Sequence, residues 1–296
     1  MYKKILAAIL GIVMILSLAS CGTNTKKVVI SSKPMTEQYI LAEMLTQLIE
    51  ANTDIKVEQK LGIGGGTSNI HPAMEKGEID IYPEYTGTGW LFVLKKDLIN
   101  DHNKLYEEVK KEYENKYKIK WLGLYGFNNT FALAIKKSTA DKLNINTYSD
   151  LALRGKDLKF GAEYDFYERE DGFKGLQKTY GFNFKDKTEL DIGLKYEAMN
   201  SNKVDVINAF STDALLKAYD FKVLKDDKNF FPSYYAATLV REETLKKYPE
   251  LEKVLNKLEG EISNDEMIEM NYEVEKENKD PKEVAKEFLK SKGLLK

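Results

Sequence analysis

Cysteine is almost missing: Cys21 is the only one in 296 residues. No internal disulfide is possible, so the fold must be held by packing. Histidine is nearly as scarce. His71 and His102 stand far apart in sequence, which argues against a histidine-rich zinc site and against dispersed histidine-based catalysis. Charge of one sign is also lacking, with 45 Lys and Arg against 47 Asp and Glu. That balance gives no general affinity for nucleic acid. Carboxylate-only chemistry survives these exclusions. There is no internal repeat of short fixed period and no low-complexity tract. The conspicuous apolar run, Ile5 to Leu18, is shorter than a typical membrane-spanning helix.

What surrounds that run is informative. Lys3 and Lys4 precede it, and Leu18-Ala19-Ser20-Cys21-Gly22 ends it. The pattern reads as a bacterial lipoprotein signal over 1–20, cleaved before Cys21, with a plain N-terminal anchor as the alternative. Lipid on Cys21 would hold the protein on a membrane face, and the rest would fold outside the cytoplasm. The mature chain would have 276 residues, 43 basic against 47 acidic, a formal charge of −4. That length supports a substantial core, expected as two lobes.

Residues 21–27 read as a polar tether. Val28–Ser31 is a first strand, followed by a helix that Thr36 can cap, with apolar residues from Tyr39 to Ile49 on a helical period. Ile55, Val57, Gln59 and Leu61 alternate as a second strand. Gly62-Ile63-Gly64-Gly65-Gly66-Thr67 is a turn, with Thr67 or Ser68 able to cap the next helix, and Ile79–Tyr82 is a third strand. This β-α-β-α-β order predicts a mostly parallel sheet covered by helices. Leu91–Glu114 holds helical material around a charged break. Further strands are expected at 119–124, 131–135, 158–161, 204–207 and 235–240. The tail is helical, with apolar stripes at Leu251, Val254, Leu255, Leu258 and at Val284, Ala285, Phe288, Leu289. A second α/β unit inserted into the first gives two lobes, 28–130 plus 235–296 and 131–234. Their strand ends would meet at a crevice, where open α/β sheets bind ligands.

The glycine loop is not a nucleotide site. No Gly-Lys-Ser/Thr follows it, and Thr67 stands where the third glycine of a dinucleotide fingerprint belongs. Aromatic residues recur near strand ends instead, among them Tyr85, Phe127, Phe131, Phe166, Phe210 and Tyr234. Several must be plain core. Aromatic faces suit a quaternary ammonium ion, which donates no conventional hydrogen bond and spreads its charge over methyl groups. A carboxylate at the other end of such a solute needs donors, which Lys33, Thr88 and Arg169 supply if the fold gathers them.

The motifs Ser32-Lys33-Pro34-Met35-Thr36-Glu37-Gln38, Gly64-Gly65-Gly66-Thr67, Asp80-Ile81-Tyr82-Pro83-Glu84-Tyr85-Thr86-Gly87-Thr88, Phe127-Asn128-Asn129-Thr130-Phe131-Ala132-Leu133, Phe160-Gly161-Ala162-Glu163, Arg169-Glu170-Asp171-Gly172, Ala209-Phe210-Ser211-Thr212-Asp213 and Phe231-Pro232-Ser233-Tyr234-Tyr235-Ala236-Ala237 occur in this order. Together they resemble the substrate-binding lipoproteins of ABC importers for glycine betaine, carnitine and choline. The resemblance covers essentially the whole mature chain. It implies a type II periplasmic-binding-protein fold, two α/β lobes with a ligand cleft between them. It also implies an aromatic cage at Tyr85, Phe131, Phe210 and Tyr234. The family usually has tyrosine at all four, so Phe131 and Phe210 keep the ring face and lose the hydroxyl. The carboxylate end falls on Lys33, Thr88 and Arg169, with Asn129 close behind the cage. Glu37 and Gln38 are expected at the helix start and hinge, and Asn128 and Asn129 are expected to fix the crossover by bonding backbone.

These readings give a capture protein with no catalysis, no cofactor and no metal. The expected ligand order is glycine betaine, then proline betaine or carnitine, with choline a live alternative. Its partners would be a permease and a cytoplasmic ATPase, and hinge closure would enclose the solute. Three rival readings stand beside this one. An importer component for a different small amine or amino acid would call for carboxylates around an ammonium, against which the aromatic set argues. A sensory lipoprotein would bind the same solute without feeding a permease. A secreted enzyme would use Glu168, Glu170 and Asp171 as paired carboxylates.

Overall fold

The computed structural model describes residues 26–295. The expected signal over 1–20, the lipidation site Cys21 and most of the tether lie outside the described residues. Strand β1, Lys27–Ser31, leads into helix α1, Thr36–Asn52, which buries Ile40, Leu41, Met44, Leu45, Leu48 and Ile49 on its apolar face. Thr36 is the first helical residue and not the cap. Met35 holds the cap position and makes no side-chain bond. Strand β2, Lys56–Lys60, pairs parallel with β1. The glycine loop then turns through left-handed backbone at Gly62, Gly65 and Gly66, with φ of 68°, 74° and 51°, which glycine adopts without a Cβ clash. Helix α2, Thr67–Glu75, starts at once, with Gly66 at its cap and no side-chain cap bond from Thr67 or Ser68.

Strand β3, Ile81–Tyr85, is buried at every position. It runs on through Pro83, Glu84 and Tyr85, which the sequence pattern leaves beyond the strand. One turn of π-helix, Thr88–Val93, follows, then an α-helix over His102–Tyr117 whose first turn is capped by Asp101. The remaining strands are β4 (Ile119–Asn128), β5 (Phe131–Lys136), β6 (Lys159–Ala162), β7 (Asp186–Glu189), β8 (Val206–Phe210), β9 (Phe221–Val223) and β10 (Tyr235–Arg241).

These strands form two five-stranded sheets, in the orders β2-β1-β3-β10-β4 and β7-β6-β8-β5-β9. In each, four strands point one way and one is reversed, β10 in the first and β5 in the second. The reversed strands are the two entered directly from the other sheet. Asn129 and Thr130 link β4 to β5, and β10 follows the segment Pro232–Tyr234. The architecture is the expected two-lobed α/β fold with central sheets and a cleft. Strands β7 and β9 escape the sequence reading because they are short edge strands, and β7 is an entirely polar Asp-Lys-Thr-Glu.

The tail helices Glu250–Leu255 and Pro281–Ser291 pack against α1 and bury the two expected apolar stripes, except that Leu258 is buried from the 3-10 turn Asn256–Leu258. One apolar cluster runs through both sheets, from Ile30 and Leu45 to Phe131, Phe160 and Val206. No helix among the described residues is long and apolar enough to cross a membrane.

Candidate ligand-binding site

Residues at the ends of β1, β3, β6 and β8, and at the starts of the reversed strands β5 and β10, line one cavity of about 610 Å³. The rings of Tyr85, Phe131, Phe210 and Tyr234 line it, and so do Lys33, Thr88 and Arg169, with Asn129 beside them. The ring centroid of Phe131 is 5.1 Å from Phe210 and 5.3 Å from Tyr234, the latter edge to face. Tyr85 makes no ring contact with these three among the described residues. Tyr234 packs on Gly87, where an added Cβ would sit 2.5 Å from its ring. The glycine of Thr86-Gly87-Thr88 therefore makes room for a cage wall.

The polar end is built from ion pairs. Lys33 Nζ lies 2.5 Å from Oε1 of Glu84, which is fully buried. Thr67 and Tyr82 donate their hydroxyls to Glu84 Oε2 at 2.7 and 2.9 Å, and the Tyr85 amide donates to Oε1 at 2.7 Å. Thr67 is thus spent on Glu84 rather than on a helix cap. Burial draws the Lys33 ammonium below the usual lysine range, against the pull of Glu84. Across the cavity Arg169 grips Asp171 with two donors, Nε to Oδ1 at 2.8 Å and Nη2 to Oδ2. Tyr234 donates its hydroxyl to the same Asp171 Oδ2 at 2.7 Å. A buried, bidentate pair of this kind is orienting as well as charge-balancing. The carboxylate trio expected of an enzyme is not a pair at all. Asp171 is committed to Arg169 and Tyr234, while Glu168 and Glu170 are exposed.

Protein cations already stand over three of the four rings. Lys33 Nζ is 4.7 Å from the Tyr85 centroid, and Arg169 is 5.3 Å from Phe131. Lys195, fully buried, puts its Nζ 4.4 Å from Phe210. Glu163 ends one of the motifs quoted above, whereas nothing in the sequence pattern marks its partner Lys195, 3.4 Å away. Glu163 also accepts from Asn208 Nδ2 at 2.7 Å. A buried lysine in a run such as Lys195-Tyr196-Glu197 looks like surface until the fold is known.

Glu37 ties the lobes to the cage. It is buried in the first turn of α1 and accepts from Tyr85 Oη at 2.5 Å, Asn129 Nδ2 at 2.8 Å and Thr212 Oγ1 at 2.6 Å. Burial pushes its carboxyl up, and the bonds from Thr212, Tyr85 and Asn129 work against that. Asn128 fixes the crossover as expected, its Oδ1 accepting from the Tyr234 amide at 2.7 Å. Asn129 departs from expectation, because its side chain bonds the Glu37 carboxylate and not backbone.

Behind Phe210, burial raises Asp213 from 3.8 to about 7, with Lys195 and the Phe210 amide opposing. An acid whose folded pKa is raised keeps its proton in the folded state after the unfolded chain has lost it. Its contribution to stability is full below about pH 4 and is lost as pH rises to about 7. Asp213→Asn is expected to remove a downward slope of about 1.4 kcal/mol per pH unit over that window. Denaturant melts at stepped pH check this, and an unchanged slope in the variant would refute it.

Comparison with known proteins settles the family. The family model for the substrate-binding domain of ABC-type glycine betaine transport systems matches residues 26–291. The chain belongs to this family. A carnitine transport binding protein of Listeria monocytogenes is 39% identical over 305 residues, covering 100% of this chain and 99% of that protein. An ergothioneine transport permease/ergothioneine binding protein of Helicobacter pylori is 49% identical over 269 residues. That alignment covers 91% of this chain and 48% of the Helicobacter protein, so the chain spans about half of that relative's length. Among solved structures, a glycine betaine/carnitine/choline ABC transporter protein superposes with a TM-score of 0.72 at 37% identity, over 92% of this chain and 99% of that one. The protein is an extracytoplasmic solute-binding component of the ABC-importer type. Such proteins capture their solute and do no chemistry on it.

Proposed function

We propose that this protein captures trimethylammonium solutes in the 610 Å³ cavity and delivers them to an importer. The observation that carries the reading is the gathering of four rings and three polar groups, from six separate sequence motifs, around one cavity. In this reading Tyr85, Phe131, Phe210 and Tyr234 surround the methylated head. Lys33, Thr88 and Arg169 face the carboxylate of a zwitterion. The lobes are 28–130 plus 235–296 and 131–234, and a solute bridging them stabilises the closed form. Lipid on Cys21 anchors the chain, and a permease with a cytoplasmic ATPase receives the solute. Glycine betaine, carnitine and choline share the head that the cage suits. The name of the Helicobacter relative adds ergothioneine, a larger betaine.

Isothermal titration calorimetry of the full chain in detergent, with glycine betaine, carnitine, choline and ergothioneine in parallel, tests the reading. Saturable heat from any of the four, absent with a primary-amine amino acid, is the expected result. Binding of the primary amine alone would refute the cage.

A further inference from the structure

Arg169 is shared by two cavities. It lines the ligand cavity and also a second one of about 650 Å³, whose walls include Phe92, Lys96, Asp171 and Phe230. Asp171 holds the guanidinium by Nε and Nη2, which leaves Nη1 outside that pair. Two rings lie close to the guanidinium carbon. Phe92, a wall of the second cavity, centres its ring 4.9 Å away, and Phe131, a wall of the first, centres its ring 5.3 Å away. The guanidinium therefore forms part of the partition between the cavities.

Phe92 is not a core residue. Its neighbours Leu91 and Val93 pack against the apolar cluster of Trp90, Tyr113 and Trp121, whereas the half-buried Phe92 joins no apolar cluster among the described residues. It stands in the π turn, four residues after Thr88. Such turns are rare and recur at functional sites. This one places Thr88 on the ligand cavity and Phe92 on the second. The turn follows β3 of one sheet, and Arg169 follows β6 of the other, so the contact of Phe92 with Arg169 joins the two sheets' ends. A ring face attracts the guanidinium and displaces water from that side. A cation shielded from water attracts a carboxylate more strongly.

We propose that Phe92 is a positioning residue for the carboxylate end: from the opposite sheet it seats Arg169 and shields it from the second cavity, so that the guanidinium meets the carboxylate of the solute. This rests on the reading above and adds the residue that favours zwitterions over choline. Phe92 touches no solute and acts through Arg169 alone. A solute without a carboxylate makes no use of that seat, so its affinity is indifferent to Phe92.

Calorimetry of the full chain in detergent with glycine betaine, carnitine, ergothioneine and choline tests this, in the parent, Phe92→Leu and Phe92→Tyr. Phe92→Leu is expected to lose about 10-fold for each carboxylate-bearing solute that the parent binds and little for choline, while Phe92→Tyr keeps the ring face and the affinity. The Arg169 Nε–H resonance of isotope-labelled protein, identified by its loss in Arg169→Lys, reports the seat directly. It should move in Phe92→Leu and stay near its parent position in Phe92→Tyr. Thermal melts confirm that the variants fold. An unmoved resonance, an undiminished affinity in Phe92→Leu, or equal losses for choline and the carboxylates would overturn the inference and leave the trimethylammonium reading intact. A folded parent that binds none of the three carboxylates would overturn the carboxylate end of that reading and this inference with it.

Discussion

Tyr85→Ala is expected to weaken every trimethylammonium solute by about 100-fold, the cost of losing one desolvated cation–π wall and its buried ring area. The ring is only 5% exposed, held by its backbone in β3 and by its hydroxyl on Glu37. The alanine variant removes both the ring and one of the three donors to Glu37. Tyr85→Phe separates these effects, since it keeps the ring face and deletes only the hydroxyl. Calorimetry should show a small loss for phenylalanine and a large one for alanine. Equal losses would move the role of Tyr85 from its ring to its bond with Glu37, and no loss in either would remove it from the cage.

Arg169→Leu should cost about 3–5 kcal/mol of stability. It leaves Asp171 buried at 6% exposure with only the Tyr234 hydroxyl donating to its side chain. An isolated buried carboxylate is costly because its lost hydration is no longer compensated. The double variant Arg169→Leu, Asp171→Leu removes the stranded charge and should recover much of the loss. Urea unfolding of the parent, the single and the double variant checks this. A double variant no more stable than the single one would show that the packing of Arg169 against Phe92 and Phe131, at 4.9 and 5.3 Å, matters more than its charge. Only the double variant takes away the anchor of the Tyr234 hydroxyl.

The sequence was a good guide to elements whose signal is local. The first helix, the early strands and the apolar stripes of the tail follow from periodicity, because burial of one face imposes it. Motif resemblance named the rings and the polar groups that share the cavity. It did not disclose their state. That Lys33 and Arg169 are already paired depends on Glu84 and Asp171, which stand in the same motifs and carry no sign of which way they point. Lys195 was invisible for another reason. Its role arises because the Lys195–Asn200 helix brings the ammonium against the Phe210 ring, and no spacing rule records that meeting. The polar edge strand β7 shows the same limit, since an edge strand open to water needs no apolar alternation.

The two reversed strands set a limit on how this protein can change its ligand. Phe131 opens β5 and Tyr234 immediately precedes β10, so two of the four rings stand on the very segments that join the lobes. Substitution there changes the cavity wall and the crossover between the two sheets in one step. The other two rings are coupled to the same segments, because Phe210 pairs with Phe131 across the sheet and Tyr85 shares the Glu37 carboxylate with Asn129. An evolving or engineered pocket therefore retunes its rings and its crossovers together.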